Sequence, residues 1–396
     1  MSSQAAPGRQ RRALGIDIFC RVVDNFGDAG VSWRLARQLA SEHGAQVSLW
    51  IDRPEIIALI ATPGADAQVE VRHWDAATEH YAPRDVLLST FGCELPPKVR
   101  ARLSPGRQAP VWINLEYLSA EPWIDGCHLL PSVKPGDLAL EWFYYPGFSA
   151  ASGGLLREAG IDSERDRFLR SEAGTWLAAH GLDSQPDALR ISLFCYPQAP
   201  IGELLAELAG NSHRQVHLLL PGGVAEAAIS DFLGHGLPSG QRARVGALTI
   251  ARHAFLDQAG YDRLLWSCDL NFVRGEDSWV RAHWAERPFV WQPYPQSDDT
   301  HLVKLEAFLT RMLAATAPAA EPASGVPAAS DQAGEAAALI RAMMLAWSGA
   351  RPLAGTVAQF LAELPRLAPL YSSWRMDLAR RADLANKLYE FIQTKI

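Results

Sequence analysis

Apolar residues in this chain gather into short continuous runs of strand length, and between those runs they recur with helical spacing. The first run, 13–20, breaks at a turn of Asp24, Asn25, Phe26, Gly27 and Asp28, residues that tolerate left-handed backbone angles. Beyond the turn, Val31, Leu35 and Leu39 fall on one helical face. Further strand candidates are VSLWI at 47–51, 69–74, DVLLST at 85–90 and VWINL at 111–115. The run at 85–90 is followed by Phe91, Gly92 and Cys93, and the one at 111–115 by Glu116 and Tyr117. Strands that alternate with helices predict βα units around a parallel sheet. Residues 120–155, rich in Pro, Gly and aromatics, read as an irregular crossover.

A second series of the same kind starts at 190. Its strands are predicted at 191–197, 216–220, 248–250, 269–273 and 288–292, with helices at 201–208, 261–268 and 279–285. The architecture expected is α/β, with two Rossmann-like domains facing a central cleft, at 13–150 and 185–350. Residues 314–338, rich in Ala and Pro, read as a flexible excursion. Closing helices at 355–364 and 374–394, within a 355–396 unit, are expected to return toward the first domain.

Composition narrows the function class. At 396 residues, 48% apolar and 20% charged, the chain has the length for two domains and the makeup of a globular protein. A net charge of −7 supplies no general basic field, so neither nucleic acid nor an anionic membrane is an expected partner. Five scattered cysteines without a C-x-x-C pair predict reduced core thiols rather than a disulfide framework or zinc knuckle. Residues 1–12 are polar and basic without an apolar signal core, and no stretch reaches membrane-spanning length. A cytoplasmic protein is the expectation.

Two loops carry candidate chemistry. Asp24 and Asp28 sit where the first strand gives way to a helix, the edge of an open α/β sheet at which ligands bind. Each residue alone also suits a structural role, Asp28 as a helix N-cap and Asp24 as the closer of a turn. The second loop, Arg274, Gly275, Glu276, Asp277 and Ser278, repeats the arrangement before the helix predicted at 279–285. A helix N-terminus attracts anions, and Arg274 adds a delocalised charge suited to phosphate. Capping by Glu276, Asp277 and Ser278, or an ion pair of Arg274 with either acid, is the structural alternative. The chain has no D-x-D triplet, no H-E-x-x-H and no G-x-S-x-G, so metal-free chemistry is expected.

At this level of detail the chain resembles a family. DIFCRVVDNFGDAGVSWRLARQL at 17–39 and DLNFVRGEDSWVRAHWAERPFVW at 269–291 resemble the bacterial elongation factor P arginine rhamnosyltransferases. Phe194, Cys195 and Tyr196, and the segment 255–262, support the likeness. The resemblance implies a GT-B fold and an inverting, metal-independent transfer of rhamnose from dTDP-β-L-rhamnose to one arginine of elongation factor P. No other cofactor is implied. Carried over by position, it implies Asp28 as proton acceptor, with Asp24 beside it and Glu276 as a third catalytic residue. It implies donor contacts from Asn25, Phe26, Gly27, Phe194, Tyr196, Phe255, Gln258, Arg274, Gly275, Asp277 and Ser278. Two other classes fit the same two-domain pattern: a nicotinamide-dependent oxidoreductase, although G-x-G-x-x-G is missing, and a non-catalytic nucleotide-binding adaptor of translation.

Overall fold

Continuous apolar runs become strands because a parallel strand covered by helices buries side chains on both faces. The computed structural model describes residues 12–62, 68–76, 81–103, 109–133, 139–316 and 328–396. The first sheet contains β1 (Gly15–Cys20), β2 (Gln46–Ile51), β3 (Val69–His73), β4 (Val86–Thr90), β5 (Val111–Leu115), β6 (Pro131–Val133) and β7 (Leu140–Tyr144). Its order is β3-β2-β1-β4-β5-β7-β6, parallel except for the β6–β7 pair. The second contains β8 (Leu189–Leu193), β9 (Val216–Pro221), β10 (Arg242–Val245), β11 (Leu248–His253), β12 (Leu270–Arg274) and β13 (Phe289–Gln292). Its order is β10-β11-β9-β8-β12-β13, parallel except for β10–β11.

Both sheets reverse direction at their first strand. β1 lies between β2 and β4, and β8 lies between β9 and β12. Such a switch point opens a crevice beyond the strands' carboxyl ends. The loop after β1 and the loop after β12 both project there. One apolar core runs through both halves, and Phe148, Trp279, His283, Phe308 and Trp374 cluster in it. Trp279 stacks on Trp291 with ring centroids 3.6 Å apart. The last helix, Leu384–Gln393, packs against the helix Asn25–His43. Gln38 donates to Asp383 at 3.1 Å, and Tyr389 stacks on His43.

Three expectations need correction. The stretch 120–155 is not irregular throughout, because Leu140–Tyr144 forms β7, paired in parallel with β5. Its aromatic run Trp142, Phe143 and Tyr144 fills sheet positions that composition alone assigns to a loop. The Ala/Pro excursion is shorter than 314–338, since helices Thr300–Thr316 and Ala328–Trp347 enter it from both sides; residues 317–327 lie outside the described residues. The helix at 355–364 does not stop there. It runs over Thr356–Ala379 through Pro365 and Pro369, held by the buried Leu364, Leu367, Tyr371 and Trp374. A proline removes one helical hydrogen bond and clashes with the carbonyl four residues back, a cost that the packed apolar face offsets here.

Candidate active site

The loop after β1 is short, and its carboxylates point into the fold. Asp28 is 2% exposed. Its Oδ2 accepts from the backbone N–H of Val23 at 2.7 Å and of Asp24 at 2.9 Å. The helix it belongs to starts at Asn25, so Asp28 binds back onto the preceding turn without serving as N-cap. Burial and the neighbouring Asp24 charge raise the Asp28 carboxyl above the usual range, against those N–H donors and the Tyr117 hydroxyl. Asp24 faces the other half, where its Oδ2 accepts from the Tyr196 hydroxyl at 2.8 Å. The Asn25 side chain lies outside the described residues.

The loop after β12 meets them from the second sheet. Gly275 has φ +59°, and a Cβ there would sit 2.9 Å from the Tyr196 hydroxyl and 3.1 Å from Asp24 Oδ2. Only glycine suits both that backbone and that approach. Glu276 stands just before the helix Asp277–Trp284 without capping it, and its Oε2 accepts instead from the Leu118 N–H at 3.1 Å. Burial, with the charges of Asp28 and Asp277, pushes the Glu276 carboxyl up to about 8. Ser278 accepts from the Arg274 N–H and donates to the Arg274 carbonyl, bracing the turn. The Arg274 guanidinium lies over the rings of Phe194 (4.2 Å) and Tyr196 (4.5 Å), and it donates to the Cys195 carbonyl.

A cavity opens between the loops. Asp24, Phe26, Gly27, Phe194, Phe255, Gln258, Arg274, Gly275, Glu276, Asp277 and Ser278, all singled out in the sequence, line it. Phe26 and Phe255, from opposite halves, meet at 5.0 Å. Gln258 is buried and donates to the Gly30 carbonyl, while its Oε1 has no partner among the described residues. Asp28 and Tyr196 stand behind this lining. Among the described residues no group of three or more His, Cys, Asp or Glu side chains could share a metal ion.

Three residues here escaped the sequence reading. His253 lines the cavity at the end of β11. Its Nδ1 meets the Ala254 carbonyl at 2.7 Å, burial pushes its pKa down, and its Nε2 has no partner among the described residues. Tyr117, just past the end of β5, stands with its hydroxyl beside Asp28. Arg34, 3% exposed, donates to Asp277 at 2.9 Å and pairs with Asp262, which Arg281 also grips at 2.7 and 2.9 Å. Asp277 thus reaches the cavity already committed to a cation from the facing helix. The sequence showed only the setting of the latter two: Arg34 on the first helix, and Tyr117 just past a strand.

The family model for the elongation factor P (EF-P) rhamnosyltransferase EarP matches residues 16–393. The chain belongs to this family. It is 42% identical to a protein-arginine rhamnosyltransferase of Pseudomonas aeruginosa over 95% of this chain and 98% of that one. It is 47% identical to the Pseudomonas putida counterpart over 74% and 80% of the two chains. A solved structure concerned with EarP-mediated arginine glycosylation of translation elongation factor EF-P superposes with a TM-score of 0.67. That match has 31% identity and covers 96% of this chain and 99% of that one. Membership in a glycosyltransferase family, with the GT-B fold, decides against both the oxidoreductase and the adaptor. No helix among the described residues is long and apolar enough to cross a membrane.

Proposed function

We propose that the chain, as a cytoplasmic enzyme, transfers L-rhamnose from dTDP-β-L-rhamnose to the guanidinium of one arginine of elongation factor P, with inversion and without a metal. Charge carries this reading. Asp24 and Glu276 line the cavity with Asp28 close behind them, and Arg274 is the only cation among its described lining residues. Asp28 and Glu276, both held above the ordinary carboxyl range, gain most from an incoming cation, and a guanidinium matches a carboxylate edge to edge. Asp28 is assigned to hold the acceptor and take its proton as the C–N bond forms, because free arginine stays protonated at any physiological pH. Arg274 and the N-terminus of the helix Asp277–Trp284 are assigned to the departing diphosphate. In the apolar pocket, Gln258 Oε1 and His253 Nε2 are acceptors suited to the single ring N–H of thymine.

The test is to mix the chain with elongation factor P and dTDP-β-L-rhamnose and weigh the intact acceptor. One added deoxyhexose, located on an arginine by fragmentation, is the expected result. An unchanged mass would sink the reading. Two further outcomes follow from the assigned roles. Arg274→Ala should weaken dTDP and the complete donor alike by about 2–5 kcal/mol, because their shared diphosphate loses a charge-assisted partner. Unchanged dTDP affinity by calorimetry would leave Arg274 to its stacking on Phe194 and Tyr196. Transfer should also survive exhaustive EDTA, since the helix terminus and Arg274 meet the leaving charge. A loss that magnesium restores would show that Glu276 and Asp277 hold a cation.

A further inference from the structure

The loop after β5 reaches both reacting acids. The Leu118 N–H binds Glu276, and the Tyr117 hydroxyl lies beside Asp28, where it favours the ionised carboxylate. Exposure divides unevenly across that second contact: Asp28 is 2% exposed and Tyr117 42%. The Tyr117 ring stacks on Phe91 with centroids 4.5 Å apart and planes 20° from parallel. Phe91 is held for this by an uncommon backbone. Its φ is +59°, which a bulky residue seldom adopts without a local reason, and its N–H donates to the Leu115 carbonyl at the end of β5. The next residue, Gly92, donates to Asn114 Oδ1 on the same strand. The ends of β4 and β5 are therefore tied together beneath an aromatic pair beside Asp28, Tyr117 exposed and Phe91 half-buried.

Resting on the proposed transfer to an arginine, we infer that Tyr117 is a positioning residue: its hydroxyl fixes the Asp28 carboxylate, and its ring, backed by Phe91, is the wall against which the acceptor guanidinium lies. Planar guanidinium groups stack on aromatic faces while bonding a carboxylate in their own plane. The hydroxyl has a separate effect. The titratable groups facing Asp28 are Asp24 on the same loop, Glu276 from the second sheet, the Cys20 thiol of β1 and Tyr117 itself. None of them is a cation, so the Tyr117 donor joins the backbone N–H groups in keeping Asp28 ionised.

The hydroxyl and the ring separate in two variants, assayed for rhamnosyl transfer to elongation factor P across pH. Tyr117→Phe keeps the ring, so the acceptor KM should stay near native. Its acidic limb of kcat/KM should move to higher pH, with a loss on the order of ten- to a hundred-fold at neutral pH as a donor to a charged group disappears. Tyr117→Ala should show the same limb and also a raised acceptor KM. dTDP affinity should be native in both, because Tyr117 does not line the cavity. A native pH limb in Tyr117→Phe would overturn the role of the hydroxyl, and it holds as a test even if Tyr117→Ala fails to fold. An acceptor KM unchanged in a folded Tyr117→Ala would overturn the role of the ring. Absence of transfer by the unaltered chain would remove the proposed function, and this inference with it; that outcome differs from both others because no variant is needed to see it.

Discussion

Asp28→Asn should lower rhamnosyl transfer by at least about 10⁴-fold while leaving dTDP affinity close to native. A positioned base alone contributes about 10²–10⁴, and here the same group also orients the acceptor. The fold should tolerate the change, since an amide oxygen can still accept from the Val23 and Asp24 N–H groups that Asp28 Oδ2 now binds. The amide nitrogen, however, presents donors where the guanidinium also presents donors. Donor binding is spared because Asp28 stands behind the cavity lining. The checks are initial rates by intact-mass analysis, dTDP calorimetry and the thermal midpoint, measured on one preparation. Near-native turnover in a folded variant would move the base elsewhere, with Asp24 the next candidate.

Glu276 fits this scheme as a partner of the acceptor more readily than as an acid for the leaving group. Its carboxyl, raised by burial to about 8, holds its proton more readily than an ordinary glutamate. An arriving guanidinium would draw it down together with Asp28. A diphosphate, by contrast, leaves as a stable anion and needs charge from Arg274 more than a proton.

Much of this site was legible in the sequence, for a physical reason. Carboxylates and glycines just past an apolar run must lie at the carboxyl edge of a buried strand, and two such loops define a cleft between two sheets. The parallel strands showed themselves as unbroken apolar runs because helices cover both faces. β7 did not, because Glu141 and its aromatic neighbours look the same in a sheet as in a loop until β5 is beside them. The helix Ala328–Trp347 was hidden in alanine-rich sequence read as low complexity, although alanine is the best helix former. Tyr117 and Arg34 show a different limit: each matters through a partner distant in sequence, and spacing along one chain carries no signal of that pairing.

Arg34 leads to the largest stability effect expected. Asp262, 6% exposed, lies between two arginines from different helices. Arg34 reaches it at 3.0 and 3.1 Å, and Arg281 at 2.7 and 2.9 Å. Arg281 also binds Glu158; burial acts to raise that carboxyl, but Arg281 and Arg34 outweigh it and hold it down to about 2. Asp262→Asn keeps the shape and removes the charge that both arginines share, leaving the two buried guanidinium groups to Asp277 and Glu158 alone. Breaking a buried pair from one side costs about 3–5 kcal/mol, far more than a surface pair contributes. A fall of that size in urea unfolding free energy is expected. Because Arg34 also holds Asp277, the first residue of the helix assigned to the diphosphate, dTDP affinity should fall in the molecules that remain folded. A loss under about 1 kcal/mol would mean that Glu158 and Asp277 suffice for both arginines. Native dTDP affinity in a clearly destabilised variant would separate the clamp from the donor loop, leaving Arg34 a purely structural tie between the two halves.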